Sequence, residues 1–408
     1  MTETTIASRQ APDSPQRPGW IASGLLILIT LLLAALPLLI DDAEFFLGLD
    51  FQPYQAAGNA VLTGQSPYDI ILPGNMVFLY TPFAAVLMVP ISMLDFIVAL
   101  ALWTLLSMVA LQVTAWIGFQ STGVDSPRQR TRRTLAVTAG ALLLAPIFLS
   151  LQLGQINIIL MALVLADLCG RSTRWRGVGV GLAAAIKLVP LIFVAYLLVT
   201  RQFRAAKVAI VTFLGSVALG FIVLPEASAV YWGGKFIDFS PARFLPTGVS
   251  AAWNYSIRGL LVVDTGSQTA AFWLWLLIGG AVGVLGLLVA RQAYLGGETF
   301  AAVLACGITG LLISPVSWSM HWVWCVPLLI LAAYGFGRGG RLARTSRVLA
   351  VWLIFFAGIL FGMIDVVLAE RMLSVLAHVD IALGLVALGY IARQTRTASR
   401  SAGTVVPA

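Results

Sequence analysis

The chain has 408 residues, of which 60% are hydrophobic and only 10% carry a charge. A soluble protein of this length cannot cover its surface with so few charged side chains, so the composition excludes that class and predicts a protein that crosses a membrane several times. The formal net charge of +8 does not indicate nucleic-acid binding, because the basic residues stand in short clusters between apolar runs.

Apolar runs that approach the length of a bilayer span recur along the chain. They lie at about 19–40, 94–118, 134–150, 155–169, 206–224, 270–290, 297–313, 320–335, 346–366 and 373–392. Two shorter runs, at 80–92 and 177–200, contain prolines, and the second also contains Lys187. We therefore predict an all-α, polytopic membrane protein with about 11–13 membrane helices, some of them re-entrant or half-length.

Arginine and lysine predict the orientation, because cytoplasmic loops are enriched in both. Their clusters lie at 128–133, 171–176, 201–207, 338–347 and 393–400. With these clusters and the N-terminus in the cytoplasm, residues 80–118 can cross only once, so 80–92 is predicted to be a short re-entrant or surface helix. Because basic clusters flank 177–200 on both sides, that run is predicted to be a hairpin of two half-length helices.

We expect one transmembrane domain over 19–392, with disordered cytoplasmic tails at 1–18 and 393–408. Polar segments then share the outer face of a cell membrane. They are the loops at about 41–79 and 225–269, the junction 314–322 and the turn Gly154-Gln155-Ile156-Asn157. The second loop is rich in aromatic residues, including Tyr231, Trp232 and Phe236, which fit either a headgroup-level belt or a surface that stacks on sugars or holds lipid.

Asp50 and His321 are the candidate proton-transfer groups. Asp50 stands at the outer membrane edge beside Tyr54, where partial desolvation would raise its proton affinity and suit it to general-base work. An ordinary solvated acid is the alternative. His321 enters an apolar run beside Trp318, where a neutral imidazole can relay a proton. A histidine packed against tryptophan is the alternative there.

Lys187 is the most costly residue to place, because an ammonium inside an apolar run needs an anion, carbonyl groups or water. A lipid phosphate is one such anion; snorkelling, or pairing with a carboxylate such as Asp167, is the alternative. Gln155, Asn157 and Asn254 bring amides into apolar surroundings, where sugar hydroxyls or helix ends would satisfy them. The sequence contains no phosphate-binding glycine loop, dinucleotide motif or metal-spaced cluster, so we expect no metal and no cofactor.

Several short motifs follow one another along the chain. They are Asp50-x-x-x-Tyr54, Gly64-Gln-Ser-Pro-Tyr68-Asp69, Phe78-x-Tyr80-x-Pro82, Gly154-Gln155-x-Asn157, Ala185-Ile-Lys187-Leu-x-Pro190, Asn254-x-Ser256 and Ser314-Pro-x-Ser-Trp318-x-x-His321. In the order and spacing of these motifs, over residues from about 20 to 335, the chain resembles glycosyltransferase family 87. That family consists of polytopic GT-C enzymes typified by actinobacterial polyprenol-phosphate-mannose-dependent α-1,2-mannosyltransferases.

The resemblance implies an inverting transfer of mannose from polyprenyl-phosphate mannose, the co-substrate, at the outer face. Asp50 matches the first-loop carboxylate of GT-C enzymes and would deprotonate the acceptor hydroxyl, with His321 sharing that role or contacting the donor phosphate. Where the family pattern leads us to expect a second polar residue beside His321, this chain has Ser319-Met320. The implied substrate-binding residues are Tyr54, Tyr68, Asp69, Tyr80, Gln155, Asn157, Lys187, Asn254, Ser256 and Trp318.

The expected partners are membrane lipids: the donor, and a glycolipid or lipoglycan acceptor of the phosphatidylinositol mannoside or lipomannan type. An arabinosyltransferase that uses polyprenyl-phosphate arabinose is the nearest alternative. A transporter or flippase of lipid-linked sugars is an alternative from another class, since broken helices and a midplane lysine occur there too.

Overall fold

The computed structural model describes residues 47–123, 126–170, 174–238, 254–335 and 366–402, together with Gly24, Leu28 and Val351. In chain order the helices are α1 Gln52–Thr63, α2 Pro82–Ser92, α3 Phe96–Ser121, α4 Pro127–Ala141, α5 Ala145–Gln152, α6 Asn157–Cys169, α7 Val178–Ile186, α8 Ile192–Val199, α9 Phe203–Val223, α10 Pro225–Trp232, α11 Ile257–Thr265, α12 Gln268–Leu295, α13 Thr299–Ile313, α14 Cys325–Tyr334 and α15 Val366–Ala402. Short 3₁₀ helices lie at Pro73–Asn75, Val189–Leu191, Lys235–Ile237 and Ser319–Trp324.

The described residues are helical apart from loops and one small antiparallel ribbon. Its strands, β1 Ile71–Leu72 and β2 Met76–Val77, have two residues each. Within this part of the chain, 3 helices are long and apolar enough to cross a membrane: α3, α9 and α12, of 26, 21 and 28 residues. The predicted all-α, polytopic architecture is confirmed.

The structure differs from the predicted helices at several places. The run at 134–150 is not one straight helix, because α4 and α5 meet at an angle of 78°. Leu144, between them, adopts extended backbone angles, and Pro146 enters the first turn of α5, so the helical hydrogen-bond ladder is interrupted there. Helix α15 continues to Ala402, so residues 393–402 are helical and not disordered as predicted. The runs at 19–40 and 346–366 and the tail 1–18 lie almost entirely outside the described residues.

The predicted half-length helices of 177–200 are present as α7 and α8. Gly177, just before α7, packs against Ala205 in the first turn of α9, and the chain turns from α8 directly into the same end of α9. Both ends of the pair therefore lie at one level, and Lys187 lies at its tip with an extended backbone (φ −140°, ψ 131°). Asp167 accepts hydrogen bonds from the Gly177 and Val180 N–H groups, 2.8 and 2.9 Å long, which satisfies the N-terminus of α7.

The segment that contains α1 and α2 is held by polar contacts at the ends of these helices. Thr81 caps α2 by accepting from the Ala84 N–H, and its hydroxyl donates to the carbonyl of Ala185 near the tip of the α7–α8 hairpin. Gln55 of α1 donates to the Leu94 carbonyl, 2.8 Å away, just beyond α2. The predicted surface or re-entrant helix at 80–92 therefore exists as α2 and is tied to the hairpin.

The turn before α1 binds to the backbone that follows α5. The Gly48 N–H donates to the Gln152 carbonyl and the Asp50 N–H to the Leu153 carbonyl, over 2.9 and 3.0 Å. Gly154 adopts φ +72°, and a Cβ there would lie 2.6 Å from the Cβ of Phe51. Only glycine combines that backbone conformation with such a close approach, so Gly154 brings Asp50 and Gln155 together.

Gly154→Ala tests this packing, with Gly64→Ala as its control. Both glycines have positive φ, +72° and +68°, but a Cβ at Gly64 would meet nothing within 4 Å. Backbone strain alone should cost about 1 kcal/mol at Gly64, whereas the clash with Phe51 should add roughly 1–3 kcal/mol at Gly154. We expect a clearly larger fall in the apparent melting temperature of the detergent-solubilised protein for Gly154→Ala. Equal falls would contradict the close packing.

Candidate active site

Asp50 is partly exposed, and its carboxylate Oδ2 accepts a hydrogen bond of 2.6 Å from Gln155 Nε2. Desolvation by burial raises the pKa of Asp50 to about 6, against the opposing effects of the Gln155 hydrogen bond and the charge of Lys187. The group is therefore mostly ionised at neutral pH, yet more basic than an ordinary aspartate. That combination suits a general base.

Gln155 is buried, and both ends of its amide have partners. Its Oε1 lies 3.4 Å from Tyr54 OH, 3.3 Å from Tyr80 OH and 3.2 Å from Asn157 Nδ2. Since Tyr54 OH is only 2.7 Å from Tyr80 OH and has a single proton, Tyr54 donates to Tyr80 and Tyr80 donates to Gln155. This arrangement fits a residue that orients Asp50. Binding of sugar hydroxyls by Gln155, Tyr54 and Tyr80 stays a prediction.

Lys187 connects the other half of the site. Its Nζ lies 3.0 Å from Asn157 Oδ1 and 3.0 Å from His321 Nε2, and 5.5 Å from the centre of the Tyr80 ring. Asn157 also donates to the Met320 carbonyl over 3.1 Å. A continuous path of polar contacts thus runs from Asp50 through Gln155, Asn157 and Lys187 to His321. The alternative partner Asp167 is bonded instead to the N-terminus of α7.

His321 lies in the 3₁₀ helix before α14, between two donors. The Trp318 N–H lies 3.2 Å from Nδ1, and the Lys187 ammonium faces Nε2. A neutral imidazole can accept at only one nitrogen, and an imidazolium at neither, so these surroundings favour the neutral ring. The expected polar partner of His321 is supplied by Lys187 and by the backbone N–H of Trp318. The neighbouring Met320 carbonyl accepts hydrogen bonds from Asn157 and, over 2.9 Å, from Ser150.

The segment before α11 joins the 314–322 junction through its backbone and the side-chain amide of Asn254. Asn254 donates to the Pro315 carbonyl over 2.9 Å and accepts from the Ser317 N–H over 2.8 Å, and its backbone forms a bridge with Trp318. Ser256 is buried and caps α11 by accepting from the Gly259 N–H. These contacts position the loop that carries His321. Direct substrate contacts of Asn254, Ser256 and Trp318 stay predictions.

Tyr68 and Asp69 lie at the rim of the site. Tyr68 is buried, donates to the Tyr80 carbonyl over 2.9 Å and stacks on Tyr231 with ring centres 5.6 Å apart. Asp69 is exposed, and its N–H closes a turn on the Ser66 carbonyl. Tyr68 therefore supports Tyr80 from the outside, while nothing brings the Asp69 carboxylate into the polar path.

A pocket that is partly open to its surroundings begins at Lys187 and His321. Its polar end contains Asn157 and Ser317, while its walls are apolar. Among the wall residues are Leu160, Met161, Phe193, Leu311, Val323 and Trp324. A cavity of this kind fits a ligand with one anionic end and a hydrocarbon body.

Within the described residues, no three His, Cys, Asp or Glu side chains come together as a metal site. The positive charge of the polar path comes from Lys187.

The model of glycosyltransferase family 87 matches residues 78–315, more than half of the chain. The chain belongs to this family. The match includes Tyr80, Gln155, Asn157, Lys187 and Asn254, whereas Asp50 and His321 lie outside it.

Curated relatives carry specific names. A protein of Mycobacterium tuberculosis (strain ATCC 25618 / H37Rv) is 31% identical over 76% of this chain and 74% of its own length. A protein of Mycolicibacterium smegmatis (strain ATCC 700084 / mc(2)155) is 33% identical over 80% of this chain and 79% of its own length. Both are named polyprenol-phosphate-mannose-dependent alpha-(1-2)-phosphatidylinositol mannoside mannosyltransferase. A second Mycolicibacterium smegmatis relative, 32% identical over 67% of this chain and 64% of its own, is named for a phosphatidylinositol pentamannoside.

No solved structure gives a significant match to the chain. The family establishes that the protein is a glycosyltransferase, and the apolar helices place it among multi-pass membrane enzymes.

The pH dependence of transfer tests the role of Gln155. If ionised Asp50 is the base, activity should fall as the pH drops through the pKa of Asp50 at about 6. The Gln155 hydrogen bond lowers that pKa, so Gln155→Leu should raise it and move the acid limb of the pH–rate profile to higher pH. Gln155→Glu removes the hydrogen-bond donor and adds a negative charge next to Asp50. The acid limb of its pH–rate profile should therefore move to still higher pH. A limb that stays in place in both variants would contradict this role.

Proposed function

We propose that this enzyme transfers mannose from polyprenyl-phosphate mannose to a phosphatidylinositol mannoside, forming an α-1,2 bond at the outer face of the cell membrane. The names of the relatives support the donor, the acceptor and the linkage. The observation that carries the proposal is the arrangement of the polar path. It has a basic carboxylate at one end and a cation beside an apolar cavity at the other.

The chemistry that fits this arrangement is a single displacement. The acceptor hydroxyl attacks the anomeric carbon of the donor, and Asp50 takes the hydroxyl proton. The bond between the anomeric carbon and the phosphate oxygen breaks, and its electron pair leaves with the polyprenyl phosphate. Lys187 stabilises the charge that develops on the departing phosphate, and the neutral imidazole of His321 lies 3.0 Å from the Lys187 Nζ, at the phosphate end of the site.

The donor fits the cavity by its chemistry. Its phosphate would meet Lys187 and Asn157 at the polar end, and its isoprenoid chain would lie against the apolar walls. The lipid-linked sugar is a co-substrate, and the proposal includes no cofactor.

The proposal includes the orientation of the protein in the membrane. Both termini would lie in the cytoplasm and the active site would face outward, and the basic clusters between the spans support this orientation. The relatives are named as mannosyltransferases, so an arabinose donor and a transport function are not favoured.

Asp50→Asn tests the general base. We expect a loss of at least about 100-fold in transfer from labelled polyprenyl-phosphate mannose to phosphatidylinositol mannoside, measured in membranes with matched amounts of enzyme. Asp95→Asn is the control, because Asp95 is exposed and only caps α3, which asparagine does equally well. Near wild-type transfer by a correctly inserted Asp50→Asn protein would overturn the assignment. Offering polyprenyl-phosphate arabinose in parallel tests the donor sugar.

Lys187→Met and Lys187→Arg separate charge from packing. Methionine removes the cation and should lower kcat by about 10- to 100-fold, because the departing phosphate loses its positive partner. Arginine keeps the charge but presents it as a planar fork, and should retain more activity than methionine. Equal losses in both variants, with unchanged expression and melting temperature, would contradict a charge role for Lys187.

A further inference from the structure

The end of α10, the 3₁₀ helix after it and Tyr68 together form a group of aromatic side chains around a lysine. Lys235 Nζ lies 5.5 Å from the centre of the Tyr68 ring, a cation–π contact. Tyr68 stacks on Tyr231, whose ring makes an edge contact with Trp232 at 5.0 Å, and Trp232 meets Phe236 at 5.8 Å. We call Tyr68, Tyr231, Trp232, Lys235 and Phe236 the Lys235 cluster.

Apolar side chains near this cluster are directed outward. Ile222 at the end of α9, Val230 in α10 and Ile237 beside Lys235 are 78%, 57% and 61% exposed. Such exposure is unfavourable in water and favourable in the interfacial region of a membrane, where tryptophan and tyrosine also prefer to lie. The Lys235 cluster therefore fits the level of lipid headgroups.

Lys235 makes its recorded contact with an aromatic ring. Among the described residues, no carboxylate lies within 4.0 Å of its Nζ. A lysine on an aromatic face at headgroup level is a favourable partner for a phosphate ester, which offers anionic oxygens for charge-assisted hydrogen bonds.

The Lys235 cluster is also connected to the active site. Tyr68 donates to the Tyr80 carbonyl over 2.9 Å, and the Tyr80 ring lies between this contact and Lys187. Tyr80 in turn donates to Gln155, the partner of Asp50. A lipid whose phosphate binds Lys235 would therefore lie at one end of a chain of contacts that leads through Tyr68, Tyr80 and Gln155 to Asp50.

We propose that the Lys235 cluster is the acceptor-lipid subsite, in which Lys235 binds the phosphodiester that joins the sugar headgroup to its lipid anchor. This subsite rests on the proposed function, because it assumes an acceptor that carries a phosphodiester. It assigns the two cations to two lipids: Lys187 to the donor phosphate and Lys235 to the acceptor phosphate.

The test compares two acceptors, a phosphatidylinositol mannoside with a phosphodiester and a neutral alkyl α-mannoside without one. Lys235→Ala should raise KM for the phosphodiester acceptor about tenfold, as expected for one charge-assisted contact. It should leave KM for the neutral mannoside, KM for the donor and kcat close to wild type. Lys235→Arg should keep most of the affinity, and Lys235→Glu should weaken it further. Lys207→Ala, an exposed lysine in α9, is the matched control.

Other changes in KM would contradict the assignment of Lys235 to the acceptor phosphodiester. Equal KM increases for both acceptors would overturn the subsite and indicate a packing role for Lys235. An increase in donor KM alone would also overturn it, by assigning Lys235 to the donor phosphate. Wild-type transfer to the neutral mannoside reports on the proposed function without involving Lys235. If wild-type enzyme transfers mannose to neither acceptor, the proposed function fails; if it transfers to both and Lys235→Ala changes nothing, only the subsite fails.

Discussion

The contact on which the rest of the site depends is that between Lys187 and its two neutral partners, Asn157 and His321. An ammonium at the tip of a half-length hairpin is costly unless polar atoms surround it. Asn157 supplies an amide oxygen, His321 a ring nitrogen and Tyr80 an aromatic face. These partners come from α6, from the 3₁₀ helix before α14 and from the loop before α2. The polar contacts of the Lys187 ammonium therefore bring together three segments that are distant in the sequence.

Two amides lie between Asp50 and Lys187, and this separation has chemical consequences. A direct ion pair would lower the pKa of Asp50 and weaken it as a base, and would also occupy the cation needed for a phosphate. Gln155 donates to the carboxylate, while Asn157 accepts from the ammonium and donates to Gln155 Oε1. An amide can donate and accept at once, so it transmits orientation between the two groups without neutralising either.

The sequence predicted much of this arrangement, because an intramembrane lysine, an amide pair and an outer carboxylate are rare in an apolar chain. Charge placement also predicted the half-length helices around Lys187. It could not predict the 78° bend between α4 and α5 or the role of the Met320 carbonyl. The Met320 carbonyl lies 163 residues from its donor, and residue identity cannot reveal a backbone acceptor. The contacts of Asn254 with Pro315 and Ser317 could not be predicted for the same reason.

Both proposed substrates are lipids, and this restricts how one site can hold them. Each lipid diffuses in the membrane plane with its phosphate at headgroup level. The depth of the phosphate therefore cannot determine which lipid enters which side of the active site. Two cations separated by the Tyr68–Tyr80 contact provide that distinction. Lys187 borders an apolar cavity suited to a long hydrocarbon chain, whereas Lys235 borders an exposed rim suited to a lipid that remains in the outer leaflet. In this arrangement the acceptor would enter the site from the rim and the donor from the cavity.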